Sequence, residues 1–312
     1  MEIHPRVNAI EASEDGGIWS FLVKGEKIAI IETGLIFSPR QYIFPYLKKL
    51  GISATDIQLI LNTHVHFDHT GGDAELKQAC NAHILIHEDE VRFLENPELL
   101  FEADVAPTIE FIMGKEHVEE EKTRYLEMVH PGKNVLVDQG LKDNDIIELG
   151  NGCDLKVVHL PGHTRGSVGF YMENDGILFI GDAMKGLNEF DGGLPIIDNL
   201  AAYELSLEKV QKMPLKTIVN SHPYRGTTIS PSTLLRGEEI KKSLDECLEF
   251  TRRLREAVKS VAPSFLKKPF FELYDEVAGT FPKEWGLKPS GQIPDQFFSA
   301  ATLLNCIRQI EN

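Results

Sequence analysis

Four apolar runs in this chain each end in residues that can bind a metal. Ile57–Leu61 leads into Asn62-Thr63-His64-Val65-His66-Phe67-Asp68-His69-Thr70-Gly71-Gly72. Residues 156–160 lead into Pro161-Gly162-His163, residues 177–180 into Gly181-Asp182, and residues 217–219 into Asn220-Ser221-His222. Short, nearly continuous apolar runs of this kind suit strands buried on both faces. Loops at strand ends are free to converge, so ligands in α/β proteins gather there. The pattern asks for an α/β fold with several strand ends meeting at one place.

The remaining elements follow from local signals. Val7–Glu11, residues 18–24 and residues 27–32 read as a β-meander, separated by Asp15-Gly16-Gly17 and Gly25-Glu26. Residues 38–50 have helical spacing and stop at Gly51. Residues 73–79 read as a helix and 83–86 as a strand. Residues 88–134 read as a helical insertion, whose acidic stretch 116–121 is a solvated face. Strands are expected at 134–137, 145–149, Leu155–His159 and Val168–Met172, with Gly150-Asn151-Gly152 as a hairpin turn. Residues 201–213 read as a helix. From Ser230 the chain is expected to be helical to its end, with an apolar stripe at Ile240, Leu244, Cys247, Leu254 and Val258. The organisation is then a core at 1–230 and a C-terminal helical extension at 231–312.

Residues 64–69 hold four good ligands within six positions. Imidazole nitrogen and carboxylate oxygen suit Zn²⁺, Fe²⁺ or Mn²⁺. His64 and His66 alternate as on an extended segment and reach one ion. The chain must then turn for Asp68 and His69 to face a second, and Gly71 and Gly72 allow a tight turn into the next helix. Packing alone gives no reason to crowd three imidazoles and a carboxylate, because burying them unpaired is costly. His4, His83, His87, His117, His130 and His159 have no such neighbours and read as ordinary histidines, with His130 and His159 the two to look for near a pocket.

In order, the HxHxDH segment, His163, Asp182 and His222 resemble the ligand motif of the metallo-β-lactamase superfamily. The resemblance covers roughly residues 1–230. It implies an α/β (α+β) fold, a four-layer αβ/βα sandwich of two mixed β-sheets with outer helices, here followed by the helical extension. It implies two divalent metal ions, with Zn²⁺ the first choice and Fe or Mn also suited. His64, His66 and His163 would hold one, Asp68, His69 and His222 the other, and Asp182 would bridge them. The family often has Asp-Thr-Gly where this chain has Glu32-Thr33-Gly34, a residue that supports the site loop.

Two such ions share a water, lower its pKa, and let the hydroxide attack a carbonyl, sulfonyl or phosphoryl centre, with Asp68 orienting it or taking its proton. The expected enzyme is a dinuclear metallo-hydrolase of a small ester, thioester or lactone. A phosphoester or sulfoester hydrolase is one alternative. A mononuclear iron oxidoreductase like the persulfide dioxygenases is another, and a non-catalytic metal-binding module a third. The wording is closest to lactonase and glyoxalase II members. The glutathione-contacting motif of glyoxalase II is not evident after Asp182, and Lys185 stands where the lactonases tend to have tyrosine. Asn188, Tyr224 and Arg225 lie beside ligands in sequence and are expected at the substrate. The extension, with Phe265, Phe270, Phe271, Tyr274, Phe281 and Trp285, is expected over the metal edge, in a homodimer contact or in ordinary core packing.

Composition narrows the partners. With 48 acidic and 32 basic residues the net charge is −16, which disfavours nucleic acid. No apolar run approaches the roughly 20 residues that span a bilayer, so no membrane role is expected. Residues 1–10 lack the apolar stretch of a signal peptide. The four cysteines are far apart, which suits free thiols in a cytoplasmic protein acting on a small molecule.

Overall fold

The computed structural model describes residues 1–129, 135–186, 192–293 and 296–311. The first sheet has seven strands in sequence order: β1 (Glu2–His4), β2 (Val7–Glu11), β3 (Trp19–Lys24), β4 (Ile28–Ile31), β5 (Ile57–Leu61), β6 (His83–His87) and β7 (Gln139–Leu141). β1 to β4 form the antiparallel meander, and β4 to β7 pair in parallel. The second sheet contains β8 (Ile146–Ile147), β9 (Leu155–His159), β10 (Val168–Met172), β11 (Ile177–Gly181), β12 (Thr217–Tyr224) and β13 (Ser232–Arg236), ordered β13-β12-β11-β10-β9-β8. Within it β11 and β12 pair in parallel, and the other neighbours are antiparallel.

Both sheets are apolar on both faces, and alternation assigns each side chain to a layer. Phe21, Val23, Ala29 and Ile31 meet Val168, Phe170, Ile177 and Phe179 between the sheets. Phe21 and Phe179 pack with ring centroids 5.5 Å apart. Leu22 and Ile30 face the other way, under Leu47 and Leu76 of the helices Phe44–Leu50 and Asp73–Cys80 and under Phe93, Leu94 and Leu100 of the insertion. Leu178, Ile180 and Ile218 face outward beneath the helices Leu200–Gln211, Glu238–Val261, Phe270–Ala278 and Phe297–Glu311. Each layer buries apolar area that the next one needs, at about 25 cal/mol per Å². The result is the αβ/βα sandwich with C-terminal helices.

Several elements depart from the sequence expectation. The strand expected at 134–137 has no counterpart at 135–137, and Gln139–Leu141 pairs with β6 instead. Position 134 and His130 lie outside the described residues. The chain is not helical from Ser230, because Ser232–Arg236 forms the edge strand β13 against β12. That segment is too short for its period to be read without its partner strand. Gly71 and Gly72 both have ordinary right-handed backbones. Glycine is needed there for close approach: a Cβ on Gly72 would lie 2.5 Å from the Thr33 carbonyl oxygen. Among the described residues no helix is long and apolar enough to cross a membrane.

Candidate metal centre

β9, β11 and β12 run in the same direction, so their C-terminal ends share one edge of the second sheet. The turn after β5 lies against that edge. Asp73 fixes this turn, accepting from Asn62 Nδ2 (2.6 Å) and Thr33 Oγ1 (2.8 Å), and burial raises its carboxyl to about 7. Gly181 has a left-handed backbone, and a Cβ there would collide with the Thr63 hydroxyl. Glycine therefore lets the 63–64 and 181–182 turns touch.

Two ligand groups result. In the first, His163 Nε2 is 3.2 Å from His64 Nε2 and 3.0 Å from His66 Nδ1, and those two nitrogens are 3.1 Å apart. In the second, His222 Nε2 is 3.2 Å from both His69 Nε2 and Asp68 Oδ2, and His69 Nε2 is 3.6 Å from Asp68 Oδ2. Asp182 Oδ2 lies between them, 3.5 Å from His163, 3.4 Å from His69 and 3.6 Å from His222.

Oxygens outside the groups set the ring orientations. His163 Nδ1–H donates to the Ile196 carbonyl (2.9 Å), His222 Nδ1–H to the Gly17 carbonyl (2.7 Å), and His69 Nδ1–H to Glu32 Oε2 (2.9 Å). The Thr63 hydroxyl donates to Glu32 Oε1 and accepts from His64 Nδ1 at 3.0 Å. A proton held on Nδ1 leaves Nε2 as the lone-pair nitrogen, and in all four rings Nε2 faces the shared space. Glu32 is thus a fully buried residue that orients one histidine of each group, and it adopts a left-handed backbone (φ 64°) to do so.

The two groups have opposite electrostatics. Burial, then the neighbouring imidazoles, hold His64 well below the ordinary value, and burial does the same for His163. Burial brings His66 down to about 4. Burial opposes charge on His69 too, but the carboxylates of Asp182, Glu32 and Asp68 outweigh it and raise its pKa well above normal. Burial and Lys185 likewise work against His222, yet Asp182 and Asp68 raise it. Asp68 and Asp182 resist burial and stay ionised, Asp68 through His69 and His222, and Asp182 through Lys185, His222 and His69.

A family model described as the metallo-beta-lactamase superfamily matches residues 14–222, which hold every one of these ligands. The chain belongs to the metallo-β-lactamase superfamily. A hydroxyacylglutathione hydrolase of Hyphomonas neptunium is 26% identical over 227 residues, covering 72% of this chain and 70% of the relative. An acyl-coenzyme A thioesterase of Bos taurus is 28% identical over 226 residues, covering 68% of this chain and 74% of the relative. A metallo-β-lactamase family protein of Thermus thermophilus has the same fold, with TM-score 0.69 at 22% identity over 99% of this chain and 95% of that one. So has a subclass B3 metallo-β-lactamase of Bradyrhizobium japonicum, with TM-score 0.58 at 20% identity over 84% and 95%.

This metallo-β-lactamase superfamily member is a metallo-hydrolase, and one solved structure of similar fold, a class B3 metallo-β-lactamase from an Alaskan soil metagenome, is named as a di-zinc protein. Its donor set fits such ions. Bare imidazole nitrogens 3.0–3.2 Å apart repel one another unless a cation lies among them. The other oxygen of Asp182, Oδ1, is buried with no hydrogen-bond partner among the described residues. His87, Asp89 and His159 form another compact group, but the two rings stack with centroids 4.2 Å apart and planes 10° from parallel. Lone pairs in parallel planes do not meet at one ion. His159, expected near a pocket, instead donates from Nε2 to the Arg165 carbonyl at 3.1 Å.

The superfamily site opens into a cavity of about 120 Å³ that includes His66, Asp68, Asp182 and Lys185. Its far wall comes from Asp104 and Tyr125 of the insertion and from Phe297, Phe298 and Ala301 of the last helix. A larger cavity of about 380 Å³ lies behind the 65–71 turn and holds no ligand residue, so the chemistry belongs to the smaller one. Lys185 is buried, with Nζ 2.7 Å from Asp182 Oδ2.

Neighbours in sequence are not all neighbours in the site. Tyr224, expected at the substrate, is fully buried, and its hydroxyl donates to Glu246 Oε2 (2.8 Å). Arg225 is exposed, and its backbone packs against Gly186. Asn188 lies outside the described residues. Of the extension's aromatics, Phe270, Tyr274, Phe281 and Trp285 take the core-packing alternative, beneath the C-terminal helices. Phe297 and Phe298 line the cavity although sequence reasoning does not single them out. Their only signal there is an aromatic pair opening a helix.

Proposed function

We propose that this metallo-hydrolase holds two divalent ions, zinc first, and cleaves a small thioester, with esters and lactones as related substrates. The observation that carries the reading is Asp182, whose Oδ2 lies within 3.6 Å of nitrogens from both ligand groups. A carboxylate in that place suits a pair of ions better than one, which favours hydrolysis over mononuclear iron chemistry. Two relatives add the substrate class, since a hydroxyacylglutathione hydrolase and an acyl-coenzyme A thioesterase are named for thioesters.

His64, His66 and His163 would hold one ion, and Asp68, His69 and His222 the other. When bound, the ions supply an activated water and polarise the carbonyl oxygen. The chain's own groups do the rest. Asp68 stays ionised beside His69 and His222 and accepts a hydrogen bond that orients the attacking water. Lys185 places a buried cation at the cavity wall beside Asp182, where negative charge develops on the substrate oxygen. Leu100, Val105, Ile196 and Ala301 give an apolar wall for a short acyl group.

The test pairs elemental analysis of the purified protein with a substrate panel of S-acylglutathione, acyl-coenzyme A, a lactone, a phosphodiester and a persulfide under oxygen. Two equivalents of metal and turnover of a thioester are expected. Phosphodiester turnover alone, oxygen uptake with the persulfide, or an active metal-free protein would each overturn the proposal.

A further inference from the structure

The helix Phe297–Glu311 carries a polar line at Ser299, Thr302, Asn305 and Gln309. Steps of three and four residues put these side chains on one helical face. That face meets the backbone of residues 194–200. Ser299 Oγ accepts from the Leu194 N–H at 2.8 Å. Thr302 Oγ1 accepts from the Ile197 N–H at 2.9 Å and donates to the Pro195 carbonyl at 2.6 Å. Gln309 accepts from the Leu200 N–H at 3.0 Å and donates to the Asp198 carbonyl at 2.7 Å. Ser299 and Thr302 are fully buried, so water does not compete for these bonds.

The two partners of Thr302 bracket Ile196. The carbonyl of Ile196 is the acceptor for His163 Nδ1–H. A second tie reaches the same place, because the Asp198 and Asn199 N–H groups donate to the carbonyl of Gly162, the residue before His163. The path runs from one hydroxyl through one peptide carbonyl to a ring whose other nitrogen faces His64 and His66. With the peptides on both sides of Ile196 held, its carbonyl has a fixed direction and the imidazole a fixed tautomer.

We propose that Thr302 is a positioning residue for His163, so that the C-terminal helix controls how firmly the His64, His66 and His163 group keeps its ion. The inference rests on the reading of that group as a metal site. It makes the last helix part of the centre rather than a cover, since the same helix also lends Phe297, Phe298 and Ala301 to the cavity.

The experiment is zinc competition against a chromophoric chelator, run on the full-length wild type, Thr302→Val, Thr302→Ser and Ser299→Ala. Val keeps the shape of Thr and removes the hydroxyl, while Ser keeps the hydroxyl. Thr302→Val is expected to weaken one of two zinc ions by about 10-fold, the lower end of what loss of a ligand's supporting bond costs. The other ion keeps its affinity, and Thr302→Ser behaves as wild type. Ser299→Ala, which frees only the Leu194 N–H, has a smaller effect. If Thr302→Val does not fold, Thr302→Ala is read by the same outcomes. Wild-type and Thr302→Val curves that superpose overturn the inference alone. So does equal weakening of both ions, or a Ser299→Ala loss as large as that of Thr302→Val. A wild type that takes up no zinc overturns the metal reading beneath it as well.

Discussion

The two ligand groups sit side by side yet are built on different electrostatics. The His64, His66 and His163 group consists of imidazoles that burial keeps neutral. The Asp68, His69 and His222 group pairs carboxylates with imidazoles whose pKa values those carboxylates raise. Without metal, then, the second group favours protons on its imidazoles, while the first group is already in its binding form. The supports differ too: a loop carbonyl for His163, and the buried carboxylate of Glu32 for His69.

The largest test of this contrast removes what the groups share. Asp182→Ala should drop bound metal to one ion or fewer and abolish hydrolysis, a loss beyond the roughly 100-fold that a ligand's supporting partner accounts for. Elemental analysis with thioester turnover checks it, and a two-metal, active Asp182→Ala protein would remove Asp182 from the bridging role proposed for it. Glu32→Gln should come next. It keeps the size and an acceptor oxygen but removes the carboxylate charge beside His69 Nδ1, and should weaken the ion of the Asp68, His69 and His222 group by about 10- to 100-fold and the other, reached only through Thr63 and His64, by less. Chelator competition would break the contrast if both ions weakened alike.

Proton release sharpens the comparison further. Raised pKa values mean that His69 and His222 hold their protons to higher pH than ordinary imidazoles and must lose them to bind metal. Zinc entering that group should release more protons than zinc entering the imidazole group, and its affinity should rise with pH. Zinc entering the imidazole group should release almost none above about pH 5, because His66 titrates at about 4 and His64 and His163 are also depressed. Stepwise zinc addition in weakly buffered solution with an indicator dye measures this, and equal release at both steps would contradict it. The smallest effect is expected at Tyr224. Tyr224→Phe loses the bond to Glu246 and should cost about 1–2 kcal/mol of stability, with kcat/KM unchanged. A fall in kcat/KM at unchanged stability would restore Tyr224 as a substrate contact.

Much of the centre was legible because its ligands follow strands with strong local signals. Ile57–Leu61, Leu155–His159 and Val168–Met172 have the expected bounds, since buried strands announce themselves by unbroken apolar runs. Tyr224 departs from its expected place for a local reason. The register of β12 against β13 shifts between Val219 and Tyr224, so two-residue spacing from His222 does not carry a side chain into the site. Glu32 was legible as a support of the site loop, but its grip on His69 and, through Thr63, on His64 depends on a left-handed backbone that no side chain betrays.

Residue type and spacing alone were enough to single out the candidate donors that the fold brings together, because a crowd of imidazoles and carboxylates at strand ends has few other uses. What the last helix does was decided by tertiary structure. Its apolar side, with Ala300, Leu303 and Ile307, would suit many partners, and Thr302 finds Pro195 and Ile197 more than one hundred residues away in the chain. Such a match depends on the shape of two surfaces that exist only once the sheets have packed, and a local pattern carries no record of it.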